Sequence, residues 1–219
     1  MSTVGYDVSV PVDVDLIQVR PGFYRTMGKS AIDRTVAFLA LVVLSPLVLL
    51  LMLLVRLTLG KGVFYRQTRV GQGGRHFTVV KFRTMHADRR QRSADHDGPD
   101  RRVTHKTTED PRHTPVGRVL RRFSLDELPQ LWNVLRGDMS LVGPRPELPL
   151  VVDRYHQWQH LRHLVKPGIT GLWQVSERGD IEMHECVETD LEYVRRLSFL
   201  TDMSIMARTI PAAVRGTGS

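Results

Sequence analysis

The sequence predicts a mostly helical α+β fold in which a membrane helix, broken at a Ser-Pro step, precedes a small cytoplasmic domain. Three features support this class: an apolar run over residues 36–55, a β-hairpin pattern around a glycine cluster, and several amphipathic helical segments toward the C-terminus. They divide the 219 residues into an N-terminal lead (1–28), a re-entrant membrane helix (29–58) and the cytoplasmic domain (59–219).

Composition limits the partners without choosing among them. The net charge of +8 and the pI of about 10.1 favour an anionic partner, which could be nucleic acid, an anionic membrane face or a phosphorylated substrate. Cys186 is the single cysteine, so an intrachain disulfide is excluded, which fits a reducing cytoplasmic compartment. The chain is also long enough to bury a sizeable core.

The apolar run carries no charge and is as long as the ~20 residues that a spanning helix needs. It starts too far from the N-terminus for a signal peptide. A straight spanning helix and a re-entrant helix both remain open. Pro46 should kink the helix, and Ser45 can satisfy the carbonyls that the kink frees. Because basic residues flank both ends, the positive-inside rule places both flanks on the cytoplasmic side and favours the re-entrant topology.

Residues 63–67 and 76–82 are β-branched and aromatic runs, and the glycines between them predict a hairpin turn. A glycine-rich phosphate loop is disfavoured because no GK[ST] follows and no helix opens there. Residues 86–108 are polar and charge-mixed, which predicts a loop. No aromatic platform interleaves these charges, so we predict no nucleic-acid partner.

The rest of the chain predicts five helices, of which the last two are amphipathic. The last could pack on the core or lie along the bilayer surface, and core packing is the default expectation. The five ranges are Pro115–Arg122, 128–136 (closed by Gly137), 149–164, 181–197 and Phe199–Val214.

Two adjacent carboxylates, Asp126 and Glu127, stand among arginines at a predicted helix start. Ser124 and Glu127 also fit a capping box, the structural alternative to a catalytic role. In either case the helix dipole should keep Asp126 ionised. A carboxylate can act as nucleophile or metal ligand, and guanidinium groups hold phosphoryl oxygens by bidentate hydrogen bonds. Arg145 lies between two prolines that fix its backbone, so we predict that it clamps a phosphate.

The segment SLDELPQLWNVLRGDMSLVGPRP (residues 124–146) closely resembles the signature of the bacterial sugar transferases, the monotopic polyprenyl-phosphate phosphoglycosyl transferases in their minimal catalytic form. Four further segments agree in order: the apolar run with its Ser45-Pro46 break, KFRTM, DPRHTPVGRVLRR and KPGITGLWQVSERGD. The resemblance extends over residues 29–215, nearly the whole chain. It also implies the re-entrant helix.

The resemblance implies a UDP-sugar donor, a polyprenyl (undecaprenyl) phosphate acceptor, release of UMP and a Mg²⁺ cofactor. Asp126 would be the nucleophile and a metal ligand, Glu127 would assist it, and Arg121 would bind phosphate; Lys81 and Arg83 are further candidates. The enzyme would contact membrane lipids at the cytoplasmic face of the bacterial inner membrane and initiate exopolysaccharide or another surface glycan. A non-catalytic membrane scaffold of a glycan assembly complex is the alternative.

One departure from the family pattern concerns residues 174–179, which read QVSERG where the family usually has QVSGRS. Glu177 replaces a glycine and Gly179 a serine, which puts the local loop geometry and the sugar contacts in question. The sugar, the glycan pathway and the role of the lead stay open. A homodimer is left open as well.

Overall fold

The computed structural model describes residues 22–85, 114–176 and 187–214. Within these ranges it contains eight α-helices and two two-stranded sheets, one of them a β-hairpin, which confirms the predicted mostly helical α+β class. The predicted loop over residues 86–108 and all but the last seven residues of the predicted lead lie outside the described ranges.

The apolar run folds into two helices, α1 (Lys29–Val43) and α2 (Ser45–Leu59), which meet at an angle of 65°. Pro46 occupies the first turn of α2, where its missing N–H costs nothing, and the Ser45 hydroxyl donates to the carbonyl of Val42 at 2.7 Å. The predicted Ser-Pro kink is therefore confirmed. In the described ranges no single helix is long and apolar enough to cross a membrane, although the bent pair meets that requirement jointly.

The hairpin follows α2. Strands β1 (Phe64–Val70) and β2 (His76–Phe82) pair in antiparallel register. Gly73 and Gly74 have φ of 64° and 75°, a conformation that favours glycine and lets the chain reverse between the strands. The second strand matches its prediction residue for residue. The first extends three residues further than predicted, to Val70, whose N–H donates to the carbonyl of Glu147.

After the undescribed segment, short helices alternate with two parallel strands. The elements are α3 (Pro115–Arg122), a 3₁₀ turn (Leu125–Glu127), α4 (Gln130–Arg136), β3 (Ser140–Val142), α5 (Pro149–Val152), a 3₁₀ helix (Gln157–Leu164), β4 (Gly168–Thr170), α6 (Leu172–Ser176), α7 (Val187–Arg196) and α8 (Phe199–Val214). Helices α3 and α8 match their predicted bounds. Helix α4 ends, as predicted, at Gly137, which has a φ of 90°.

The prediction of one helix over residues 149–164 is wrong. The chain leaves the helical conformation at His156, which is extended, and continues as the 3₁₀ helix. Tyr155, Trp158 and Leu161 pack on the core at steps of three residues. That spacing matches the three residues per turn of a 3₁₀ helix.

Two apolar cores divide the bent helix pair between them. Ala37 of α1 joins a core with Val134 of α4 and Val194 of α7, whereas Val55 of α2 joins a second core with Leu120 of α3. The 3₁₀ turn (Leu125–Glu127) connects α3 to α4, so it bridges the two cores. Packing on both sides therefore fixes the position of this turn.

A buried polar network joins α1 to α8. The Lys29 ammonium lies 2.5 Å from the Asp202 carboxylate, which also accepts hydrogen bonds from the hydroxyls of Tyr24 and Tyr193. Asp202 is only 2% exposed. Removing one member of such a network leaves the others desolvated and unpaired.

We expect Asp202→Ala to destabilise the fold by about 3–5 kcal/mol, because it removes the short ion pair of the buried Lys29, which keeps only Asp33 at 3.6 Å, and leaves two buried tyrosine hydroxyls without their acceptor. This corresponds to a fall in Tm of about 6–20 °C in a thermal-unfolding measurement in detergent. The matched control is Glu192→Ala, which removes the exposed Glu192–Arg196 pair and should change stability by less than about 0.5 kcal/mol. Equal losses of stability in the two variants would contradict a stabilising role of the buried network.

Candidate active site

The acidic pair lies on the 3₁₀ turn between α3 and α4. Ser124, just before it, has a left-handed backbone (φ 55°), and its side chain makes no capping hydrogen bond. A capping serine needs an extended backbone to reach the following amides. The capping-box interpretation is therefore wrong, and the Glu127 side chain has other partners.

Glu127 is held by two cations from different parts of the chain. Its Oε1 accepts a hydrogen bond from the Lys81 ammonium at 2.6 Å and another from the Arg145 guanidinium at 3.2 Å. Burial alone would raise the pKa of Glu127, but the charges of Lys81 and Arg145 hold it well below its ordinary value. Glu127 is therefore an ionised carboxylate whose charge is paired with Lys81 and Arg145.

Asp126, in contrast, has no hydrogen-bond or ion-pair partner within residues 22–85, 114–176 and 187–214. Burial raises its pKa to about 6, and the charge of Glu127 adds to the rise against the opposing charges of Lys81, Arg121 and Arg145. The predicted helix dipole is the wrong physical cause, because the carboxylate lies on a three-residue turn rather than at a helix mouth, and its pKa is raised rather than lowered. Its oxygens remain available to a cation or to an electrophile.

Asn133 sets the distance between the acidic turn and Lys81. Its side-chain amide donates to the carbonyl of Thr78 at 2.7 Å and accepts from the N–H of Val80 at 3.1 Å. These two bonds join α4 to the open edge of β2. They bring Lys81, the next residue on the strand, against the turn.

The two remaining predicted binding residues, Arg121 and Arg83, lie in different surroundings. Arg121, at the end of α3, is close enough for its charge to lower the pKa of Asp126. Arg83 is buried and donates to the carbonyls of Leu59 and Gly60, at 2.5 and 3.3 Å, where it caps α2. The structure thus brings Lys81, Asp126 and Arg145 together but engages Arg83 elsewhere.

The donor set fits a magnesium ion that is carried mainly by a substrate. The described ranges contain no cluster of three His, Cys, Asp or Glu side chains that could form a protein cage. Mg²⁺ commonly binds through one or two carboxylates together with substrate phosphates and water. Asp126 supplies one carboxylate that has no partner in the described ranges, whereas Lys81 and Arg145 neutralise the charge of Glu127.

The sequence interpretation did not single out Arg69 and Arg162. Arg162 lies in a segment predicted as a helix and Arg69 lies just beyond a predicted strand, and both contact the backbone of the loop that carries Arg145. The only sequence feature that could have indicated their role is a basic residue next to apolar ones, and this pattern also occurs on many exposed helix and strand faces. Glu177 and Gly179, the departures from the family pattern, lie outside the described ranges.

Comparisons with known proteins place the chain among sugar transferases. A family model described as bacterial sugar transferase matches residues 24–216. The exopolysaccharide production protein ExoY of Sinorhizobium fredii is 43% identical over 199 residues, covering 88% of this chain and 88% of that protein.

Two further relatives carry more explicit names. The UDP-glucose:undecaprenyl-phosphate glucose-1-phosphate transferase of Caulobacter vibrioides is 39% identical over 219 residues, covering 92% of this chain and 79% of that protein. The protein of the same name from Escherichia coli is 43% identical over 190 residues, covering 83% of this chain but 39% of that protein. Because the family model spans nearly the whole sequence, the chain belongs to the bacterial sugar transferase family.

Proposed function

We propose that this protein is a polyprenyl-phosphate sugar-1-phosphate transferase that moves a sugar phosphate from a UDP-sugar to undecaprenyl phosphate and so initiates exopolysaccharide or another surface glycan. Family membership and the names of two relatives support this activity. The observation that carries the mechanism is the contrast within the acidic pair: among the described residues Asp126 has no hydrogen-bond or ion-pair partner, whereas Glu127 is held by Lys81 and Arg145.

In the first step, a carboxylate oxygen of Asp126 attacks the phosphorus nearest the sugar. The P–O bond to the second phosphate breaks, and UMP leaves with the bonding electrons. The product is an acyl phosphate that joins Asp126 to the sugar. Covalent catalysis of this kind divides one displacement between two anions into two easier steps.

In the second step, an oxygen of the lipid phosphate attacks the phosphorus of the acyl phosphate. The bond to Asp126 breaks, its carboxylate is regenerated, and the lipid diphosphosugar leaves. Both displacements bring anions together, so they depend on positioned positive charge. Arg121 and Arg145 hold the phosphate oxygens, and Lys81 adds an ammonium that is bound to Glu127.

Glu127 acts as the anchor of these cations. Because its carboxylate binds Lys81 and Arg145 at once, both are oriented before any substrate arrives. Preorganised charges need no rearrangement during the reaction, which is the main source of electrostatic catalysis. A magnesium ion bound by Asp126 and the diphosphate would neutralise negative charge on the phosphate oxygens.

The bent helix pair suits a reaction between a soluble donor and a lipid acceptor. Aliphatic side chains of α1 and α2 are widely exposed, among them Val43 at 74% and Leu57 at 75%. An exposed apolar surface of this extent is typical of a membrane or partner contact. We propose that the pair enters the cytoplasmic leaflet and returns, so that the acidic turn lies at headgroup depth.

We expect Asp126→Asn to abolish UMP release, because the amide is a poor nucleophile. Without undecaprenyl phosphate the wild-type protein should release a single burst of about one UMP per active site, and with it should turn over. Measuring UMP release with a panel of nucleotide sugars would also identify the sugar. Mass spectrometry of the stalled protein should find the phosphosugar on Asp126.

The matched control for that substitution is Asp153→Asn, which changes an exposed carboxylate at the end of α5. It should leave the burst and the turnover unchanged. Full activity of Asp126→Asn would contradict the nucleophile assignment. Absence of turnover with a wide panel of nucleotide sugars, together with retained lipid binding, would instead support the scaffold alternative.

Removal of the metal tests the fit of Mg²⁺ to the single free carboxylate. We expect EDTA to stop UMP release and an excess of Mg²⁺ to restore it fully, because the described residues supply one metal ligand and the substrate supplies the others. Samples with EDTA that has been saturated with Mg²⁺ beforehand control for the chelator itself. Undiminished activity after exhaustive chelation would show that the arginines and Lys81 neutralise the phosphate charge without a metal ion.

The re-entrant topology can be tested in cells with a variant in which Cys186 is replaced by serine. Single cysteines introduced at Gly22 and at Lys61, on either side of the helix pair, should both resist a membrane-impermeant thiol reagent added outside. Both should react after permeabilisation, which controls for buried thiols. Labelling of one position alone in intact cells would mean that the helix pair spans the membrane.

A further inference from the structure

The loop that carries Arg145 is held almost entirely through its carbonyl groups. Residues 144–147 read PRPE, so two of the four residues lack a backbone N–H. All four carbonyls accept hydrogen bonds from outside the loop. The four bonds are Gly168 N–H to Pro144 (2.9 Å), Arg162 Nη2 to Arg145 (2.8 Å), Arg69 Nη1 to Pro146 (3.0 Å) and Val70 N–H to Glu147 (2.9 Å).

These bonds determine where the Arg145 side chain begins. Proline fixes φ on both sides of Arg145, and a residue that precedes proline is restricted to extended conformations. The freedom that remains lies in φ and ψ of Arg145 and in ψ of Pro146, and a change in these angles moves the carbonyl oxygens of the two residues. Arg162 binds the Arg145 oxygen and Arg69 binds the Pro146 oxygen, so both contacts oppose such a change.

Arg162 is buried more deeply than a purely stabilising role requires. It is 2% exposed, and its guanidinium lies 2.5 Å from the Asp190 carboxylate of α7 and also donates to the Tyr155 hydroxyl. A buried ion pair adds little stability compared with well-packed apolar side chains. The planar guanidinium can, however, donate to Asp190 and to the Arg145 carbonyl at once, which an apolar side chain cannot do.

We propose that Arg162, with Arg69 in support, is a positioning residue that aims the Arg145 guanidinium at the donor diphosphate through the Arg145–Pro146 backbone. The inference rests on the proposed function, in which Arg145 holds a phosphate oxygen. Within the described residues, Arg162 makes no hydrogen bond or ion pair with Asp126 or Glu127. Any effect of Arg162 on phosphate binding should therefore require Arg145, and this dependence makes the inference testable.

The test is a double-mutant cycle on the affinity for UDP-glucose, measured with Mg²⁺ in the Asp126→Asn background so that no turnover occurs. The variants are Arg69→Met and the pair Arg162→Met with Asp190→Asn, which avoids leaving a buried carboxylate unpaired. We expect each to weaken binding about tenfold, because a lost charge-assisted contact costs about 10–100-fold. With Arg145→Ala already present, the same variants should have no further effect.

A merely structural role predicts a different result. Arg25→Met is the matched control, because Arg25 also donates its guanidinium to backbone carbonyls, those of Val194 and Leu197, but far from the loop in sequence. It should lower Tm without changing UDP-glucose affinity. If the Arg69 and Arg162 variants weaken binding equally with and without Arg145, the positioning role is overturned.

A second measurement separates this inference from the proposed function. The N–H groups of Gly168 and Val70 bind the two ends of the loop, so their hydrogen exchange reports loop position without any substrate. We expect faster exchange at both in the Arg162 variant and unchanged exchange in Arg25→Met. Unchanged exchange at both amides in the Arg162 variant would overturn the positioning role. If the exchange changes as expected but the wild-type protein binds no nucleotide sugar, only the proposed function is overturned.

Discussion

Glu127 accepts hydrogen bonds from Lys81 and Arg145 through one carboxylate oxygen, and the organisation of the site depends on this shared contact. Lys81 comes from the hairpin, Glu127 from the turn between α3 and α4, and Arg145 from the proline-flanked loop. The contact therefore joins three separate segments. The contact neutralises the charge of Glu127, whereas the oxygens of Asp126 have no partner in the described part of the chain, as the proposed chemistry requires.

The bend between α1 and α2 gives this cluster its place in the molecule. Each half of the helix pair packs into a different core, and the two cores meet on either side of the acidic turn. The buried Lys29–Asp202 pair fixes the first half of the helix pair against α8. A rigid link of this kind would set the depth of the site below the membrane surface, which a flexible tether could not do.

Local chemistry explains what the sequence predicted well. Pro46 and Ser45 determine the kink, the glycines determine the hairpin turn, and the amphipathic spacing of Phe199–Val214 determines α8. The failures concern tertiary contacts. The left-handed backbone of Ser124 removes its capping function, and burial rather than a helix dipole dominates the pKa of Asp126. No local pattern could have shown that Arg83 would cap α2 or that Arg162 would reach the carbonyl of Arg145.

The charge balance of the cluster also follows from these contacts. Lys81, Arg121 and Arg145 bring three positive charges, while ionised Glu127 cancels one of them before substrate arrives. Burial and the charge of Glu127 raise the pKa of Asp126 against the opposing charges of these cations. In the proposed mechanism, a bond from Asp126 to phosphorus would remove this unfavourable negative charge. The contacts of Glu127 with Lys81 and Arg145 lower its pKa, so the two neighbouring carboxyl groups have opposite shifts.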